Sequence, residues 1–187
     1  MQIYKTVAET REALAAEALH KKIGFVPTMG ALHKGHLSLV EKCHLESDLT
    51  VVSIYINPAQ FGHQEDLNRY PRNFEKDIDL LRNYHADLVF TPDNAQMYPE
   101  GYCTWVTVEG LSDILCGASR PGHFRGVSTI VLKLIHIVQP KLMFMGMKDY
   151  QQIIVLEKMI EDLNLDTKIV RCPIVREPDG LAMSSRN

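Results

Sequence analysis

Short, nearly continuous apolar or β-branched runs alternate in this chain with longer stretches in which apolar residues recur every three or four positions. The short runs, residues 23–26, 50–56, 86–90, 142–145 and 167–170, predict strands buried on both faces of a parallel sheet. Between them, Leu37, Val40 and His44, then Phe74, Ile78 and Leu81, then Val127, Ile130, Val131, Leu134, Ile135 and Val138, and finally Ile153, Leu156, Ile160 and Leu163 fall at helical spacing. Thr6-Val7-Ala8-Glu9 reads as a capping box opening a helix to about His20, and Pro140 stops the apolar helix before the fourth strand. Strands alternating with helices predict an α/β fold of right-handed βαβ units, a doubly wound parallel sheet.

Two segments lie outside this alternation. Residues 66–72 are polar and read as a loop. Residues 93–121 hold Pro99, Gly101, Gly110 and Gly117, which predicts a loop-rich insertion with one strand at residues 104–108, exposed around Trp105 and a candidate subunit contact. The whole chain, residues 1–187, reads as one domain. It contains no internal repeat.

Composition narrows the class. With 187 residues, 45% hydrophobic, the chain is long enough for one well-cored domain. A net charge of −3 gives no basic surface for nucleic acid. Cys43, Cys103, Cys116 and Cys172 are scattered without a C-x-x-C pair, which suits reduced thiols. The start of the chain lacks a signal-peptide pattern, and no apolar run approaches the roughly 18 residues of a membrane span, so the expected location is cytoplasmic.

The chemistry gathers at the predicted strand ends. Residues 27–36, Pro-Thr-Met-Gly-Ala-Leu-His-Lys-Gly-His, lie between a strand and a helix, where ligands of open α/β sheets bind and where a helix N-terminus favours an anion. Gly30 and Gly35 let the backbone approach a ligand closely. His33 and His36 are open to three readings: donors to a phosphoryl group, a zinc pair, or two solvated side chains at a helix start. Zinc lacks further ligands beyond Cys43 and His44 one to two turns along. Asn57 and Gln60 follow the second strand, and Lys148, Asp149 and Gln152 follow the fourth. Lys148 suits a phosphate as a point charge, while the two glutamines suit a hydroxyl-bearing carboxylate. Ser184, Ser185 and Arg186 read either as a polyphosphate-closing segment or as a polar end.

Six ordered motifs carry a resemblance: residues 27–36; Asn57-Pro58-x-Gln60-Phe61; Tyr70-Pro71-Arg72; Arg120-Pro121-Gly122-His123-Phe124-x-Gly126-Val127; Lys148-Asp149-Tyr150-Gln151-Gln152; and Gly180-Leu181-Ala182-Met183-Ser184-Ser185-Arg186-Asn187. Together they resemble the pantothenate synthetase family, within the His-x-Gly-His nucleotidylyltransferases of Rossmann-like fold. The resemblance implies a ligase of the coenzyme A pathway, with residues 1–187 forming a nucleotide- and pantoate-binding domain. It would condense (R)-pantoate with β-alanine using ATP and Mg²⁺, through a pantoyl-adenylate, releasing AMP and pyrophosphate, as a homodimer.

By the same resemblance Met29, Gly30, His33, His36, Gly146, Lys148, Asp149, Val175, Met183, Ser184, Ser185 and Arg186 bind ATP. His36 is implied as proton donor, with His33 and Lys148 beside it in catalysis. Asn57, Gln60 and Gln152 are implied to hold pantoate or β-alanine, and no side chain is assigned to the metal. Met147 departs from the polar residue usual in the family. The family's C-terminal lid domain is expected to be absent, so a second reading is a non-catalytic nucleotide-binding or dimerising fragment.

Overall fold

Burial on both faces marks the central strands of the sheet. In a computed structural model that describes residues 1–62 and 67–187, β1 (Gln2–Tyr4), β2 (Ile23–Thr28), β3 (Leu49–Ile54), β4 (Leu88–Phe90), β5 (Leu142–Gly146) and β6 (Lys168–Cys172) form one sheet. Their order is β1-β4-β3-β2-β5-β6, and every pairing is parallel. From β2 the chain winds outward through β3 and β4, then returns to place β5 on the other side of β2. The direction of winding therefore reverses at the crevice between β2 and β5, which is where such sheets bind ligands.

Successive strand residues face opposite layers. Phe25, Val51, Leu88, Phe90 and Met143 join Leu14 of α1 (Val7–Ala18), α6 (His123–Val138), and Ile153 and Leu156 of α7 (Tyr150–Asp162) in one core. Val26, Val52, Val89 and Phe144 join Leu39 and Val40 of α2 (Lys34–Glu46) and Ile78 and Leu81 of α3 (Phe74–Asn83) in the other. Two short helices, α4 (Asn94–Met97) and α5 (Cys116–Ser119), lie in the insertion. The Thr6–Glu9 capping box is present, and Gln139, in the left-handed region before Pro140, ends α6.

The structure departs from the sequence pattern in three places. Strand β1, unrecognised because three residues carry no period, pairs with β4 at the sheet edge. Residues 104–108 form no strand; with no sheet edge beside them they pack on α6 instead. Trp105 stacks on Tyr98 and meets Tyr102 edge-on, Arg125 lies 4.6 Å over the Trp105 ring, and the Val106 amide donates to Thr129 Oγ1 at 3.0 Å. In the segment expected as a loop, Leu67–Arg69 form a 3₁₀ turn, while Asp66 lies outside the described residues. Among the described residues no helix is long and apolar enough to cross a membrane.

Gly24 shows how tightly α2 is seated on β2. A Cβ there would lie 2.3 Å from Ser47 Oγ and 2.5 Å from Cys43 Sγ. Gly24→Ala is therefore expected to lower stability by about 1–3 kcal/mol through overpacking, read as a fall in the urea midpoint; an unchanged midpoint would show that α2 is free to shift.

Candidate active site

The chain leaves β2 through a left-handed turn, with φ of +79° at Gly30 and +51° at Ala31. Thr28 Oγ1 anchors its start, donating to the Ser53 carbonyl at 2.7 Å and accepting from the Gly30 amide at 3.2 Å. The next two amides, of Ala31 and Leu32, each donate at 2.8 Å to the carboxylate of Asp77, which reaches in from α3. His33 then caps α2: its Nδ1 accepts from the Gly35 amide at 3.1 Å, which leaves the ring proton on Nε2. A Cβ on Gly35 would lie 2.9 Å from His33 Cε1, so the ring can fold over the helix start only beside glycine. One turn on, the His36 ring centroid is 4.1 Å from that of His33.

Both rings are held neutral. Burial, followed by the His33 ring and the Lys148 ammonium, pushes His36 from the ordinary 6.5 down to about 3. Among the described residues its buried Nδ1 has no hydrogen-bond partner to compensate a positive ring. Burial and then Lys148 lower His33 as well. The His36 ring is thus neutral, able to donate one hydrogen bond and accept another. A polyanion in the cleft would oppose both shifts.

The wall facing the histidines is built on the turn after β3, where Asn57 caps the 3₁₀ turn Pro58–Gln60. Asn57 is fully buried: its amide nitrogen donates to Gln60 Oε1 at 3.0 Å and the Gly126 carbonyl at 3.2 Å, and its oxygen accepts from the Ala59 amide and the Tyr98 hydroxyl. Gln60 Nε2 in turn contacts Met29 Sδ at 3.2 Å. From α6, His123 Nδ1 bonds the Gln60 carbonyl at 2.8 Å while its Nε2 meets Arg120 Nη1 at 2.9 Å. Since arginine only donates, Nε2 is the acceptor and Nδ1–H the donor to Gln60. A Cβ on Gly126 would come 2.2 Å from the Ala59 carbonyl oxygen and 2.7 Å from the Gln60 nitrogen, so this close approach needs glycine.

The far side comes from β5 and β6. Gly146, Lys148 and Asp149 lie at the end of β5, with Lys148 Nζ 3.3 Å from Asp149 Oδ1. Of the two glutamines on α7, Gln151 ties down the insertion through the Leu111 and Ile114 carbonyls and the Cys116 amide, and Gln152 lines the cleft. After β6 the chain doubles back, so that the Met183 amide donates to the Val175 carbonyl at 3.0 Å and Arg176 bridges Ala182. Ser185 Oγ then donates to the Ala31 carbonyl at 3.0 Å, docking residues 184–186 on the β2 turn.

One cleft thus gathers Met29, His33, His36, Gln60, Gly146, Lys148, Asp149, Gln152, Val175, Met183, Ser184, Ser185 and Arg186. Two expected residues stand back from it: Asn57 is buried behind Gln60, and Gly30 lines a neighbouring hollow with Ile54 and Asn73. Sequence reasoning assigned no part to Arg120, His123, Tyr70 or Asp77. The first three stood in quoted motifs; Asp77 had a signal of its own, an acid within the stripe of Phe74, Ile78 and Leu81. Among the described residues no group of three or more His, Cys, Asp or Glu side chains is placed to hold a metal. Among the described residues Asp149 is the carboxylate lining the cleft, and it is paired with Lys148.

Comparison with known proteins gives a consistent result. The family model described as pantoate-beta-alanine ligase matches residues 2–187. A pantothenate synthetase of Acetivibrio thermocellus is 52% identical over 188 residues, covering all of this chain and 67% of that protein. One from Thermodesulfovibrio yellowstonii is 58% identical over 167 residues, covering 89% of this chain and 60% of that protein. The crystal structure of pantothenate synthetase from Thermus thermophilus superposes with a TM-score of 0.95 at 50% identity, over all of this chain and 66% of that one. That of the Francisella tularensis pantoate-beta-alanine ligase, complexed with βγ-ATP and β-alanine, gives 0.96 at 41% identity, over all of this chain and 72% of that one. The chain spans about two thirds of the length of these relatives.

Titration tests the electrostatics. Histidine-ring NMR of the ligand-free protein should show His36 neutral down to about pH 3. Because the unfolded ring protonates near 6.5 and the folded one near 3, His36 withdraws stability as pH falls through that window and none above it. A His36 midpoint near 6.5 would contradict the burial argument.

Proposed function

Because the chain belongs to the pantoate-beta-alanine ligase family, we propose that it joins (R)-pantoate to β-alanine with cleavage of ATP to AMP and pyrophosphate. In the first half-reaction a pantoate carboxylate oxygen attacks the α-phosphorus. The bond to the β-phosphate breaks, and pyrophosphate leaves with the bonding pair, giving pantoyl-adenylate. In the second, the amine of β-alanine attacks the acyl carbon and loses a proton as AMP departs.

The observation that carries this reading is the convergence of neutral histidines, a lysine and two amide side chains on the crevice between β2 and β5. Charge develops on phosphoryl oxygens in the first half-reaction, so fixed donors aimed at them lower the barrier with little reorganisation. His33 Nε2–H, the His36 ring and Lys148 are proposed to supply them, His36 by hydrogen bonding. Met29, Gly146, Asp149, Val175 and Met183 would hold the nucleotide, and Ser184, Ser185 and Arg186 its phosphates. Gln60 and Gln152 would take the carboxylate and hydroxyls of pantoate, with Gln60 turning to β-alanine afterwards. Asn57 and His123 keep Gln60 in place, and Gly30 belongs to the turn that presents the histidines.

Mg²⁺ would arrive with ATP. Among the described residues Asp149 is the cleft carboxylate that could reach it, so phosphates and water would supply most of its ligands, and it would neutralise phosphate charge there. The reading extends to a cytoplasmic homodimer, supported by exposed apolar side chains of the insertion, Trp105 at 39% and Leu115 at 75%.

Pantoate-dependent exchange of labelled pyrophosphate into ATP tests the first half-reaction. Exchange that requires pantoate is expected; ATP binding without exchange would assign the chain to a nucleotide-binding module instead. His36→Ala is expected to slow exchange about 10²-fold, and an unchanged rate would remove His36 from the chemistry. Gly126→Ala, which must displace Gln60, should lower kcat/KM for pantoate by about ten- to a hundred-fold while leaving the Kd for ATP alone unchanged. Equal effects on both substrates would contradict the division of the cleft.

A further inference from the structure

We propose that Asp77 is a positioning residue for the adenylation step: its carboxylate holds the turn between β2 and α2 in its left-handed form and so sets the two histidine rings. This rests on the proposed function for the reaction, and on the structure alone for the turn. Asp77 sits in the first turn of α3, within the helical stripe formed by Phe74, Ile78 and Leu81, and is 2% exposed. A buried carboxylate is costly unless its oxygens are satisfied. Here each oxygen accepts one backbone amide at 2.8 Å, Oδ2 from Ala31 and Oδ1 from Leu32. Both are short, charge-assisted bonds.

The turn needs such a partner. Ala31 has a side chain and φ of +51°, a conformation that persists only where neighbours impose it. Its amide is fixed by Asp77 and its carbonyl by Ser185. Leu32 directly precedes His33, whose ring caps α2 and packs on His36. A rotation at residues 31–32 therefore carries both rings away from the crevice. An asparagine at 77 offers one oxygen and one NH₂ to two amides, so one bond becomes a donor facing a donor. Asp77 touches no reacting atom; it acts through the histidines.

The test compares Asp77→Asn with Asp79→Asn on the same helix, an exposed acid whose contact is Arg82 at 3.0 Å. In Asp77→Asn the ring resonances of His33 and His36 should move, and kcat for pyrophosphate exchange should fall about ten- to a hundred-fold with the KM for pantoate within about threefold; Asp79→Asn should do neither. Unmoved rings, or a loss of kcat that merely follows the unfolded fraction, would overturn the proposal. Amide hydrogen exchange in the unaltered protein decides it even if the variant does not fold. Ala31 and Leu32 should be protected, and exchange at the rate of an open turn would contradict the clamp. Should the unaltered protein show no pyrophosphate exchange, the proposed function fails, while ring spectra and amide protection still decide what Asp77 does.

Discussion

A chain that leaves a buried strand through the left-handed region turns its next amides away from the sheet, and the site depends on what receives them. Here the Ala31 and Leu32 amides go to a buried carboxylate and the Ala31 carbonyl to a serine from the far end of the chain. With those groups satisfied, His33 can cap α2 with its own ring instead of a serine or aspartate side chain. The helix start then carries an imidazole whose outward nitrogen holds the proton. Local backbone chemistry, not the histidine side chains themselves, fixes where the donors point.

The sheet order does the rest. Because β3 and β5 flank β2 in a parallel sheet, three strand ends open on one crevice, and the segment after β6 folds back over it. The Lys148 ammonium acts on both histidines, and its field helps keep them neutral. Binding an anion there works in the opposite sense, raising the ring pKa values, so ligand binding and proton uptake are linked. On the opposite wall the constraint is steric: Gly126 lets α6 meet the turn that carries Gln60, and His123 locks that turn through a single tautomer.

Much of this was legible in the chain. Continuous apolar runs gave the central strands, the Thr6–Glu9 box and Pro140 gave helix ends, and the motifs placed chemistry on one sheet edge. Tertiary context decided what the pattern could not. Residues 104–108 have strand-like composition, yet they join no sheet and pack on α6 through the Trp105 ring and the Val106 amide. Three residues suffice for β1 only because β4 lies beside them. Asn57 reads as a ligand-binding amide in a motif, whereas in the structure its amide bonds Gln60, Gly126, Ala59 and Tyr98. Asp77 is the clearest case of an unused signal, since an acid within an apolar helical stripe must have a buried partner, and sequence gives no hint that the partners are backbone amides 45 and 46 residues away.

The proposed chemistry has a carboxylate oxygen attack the α-phosphorus of ATP within this crevice. Isotope tracing tests it without depending on any one residue. With pantoate labelled by ¹⁸O in its carboxylate, turnover with ATP and β-alanine should deliver one labelled oxygen to AMP and none to pyrophosphate. Label found in inorganic phosphate, or AMP formed without label, would contradict the account.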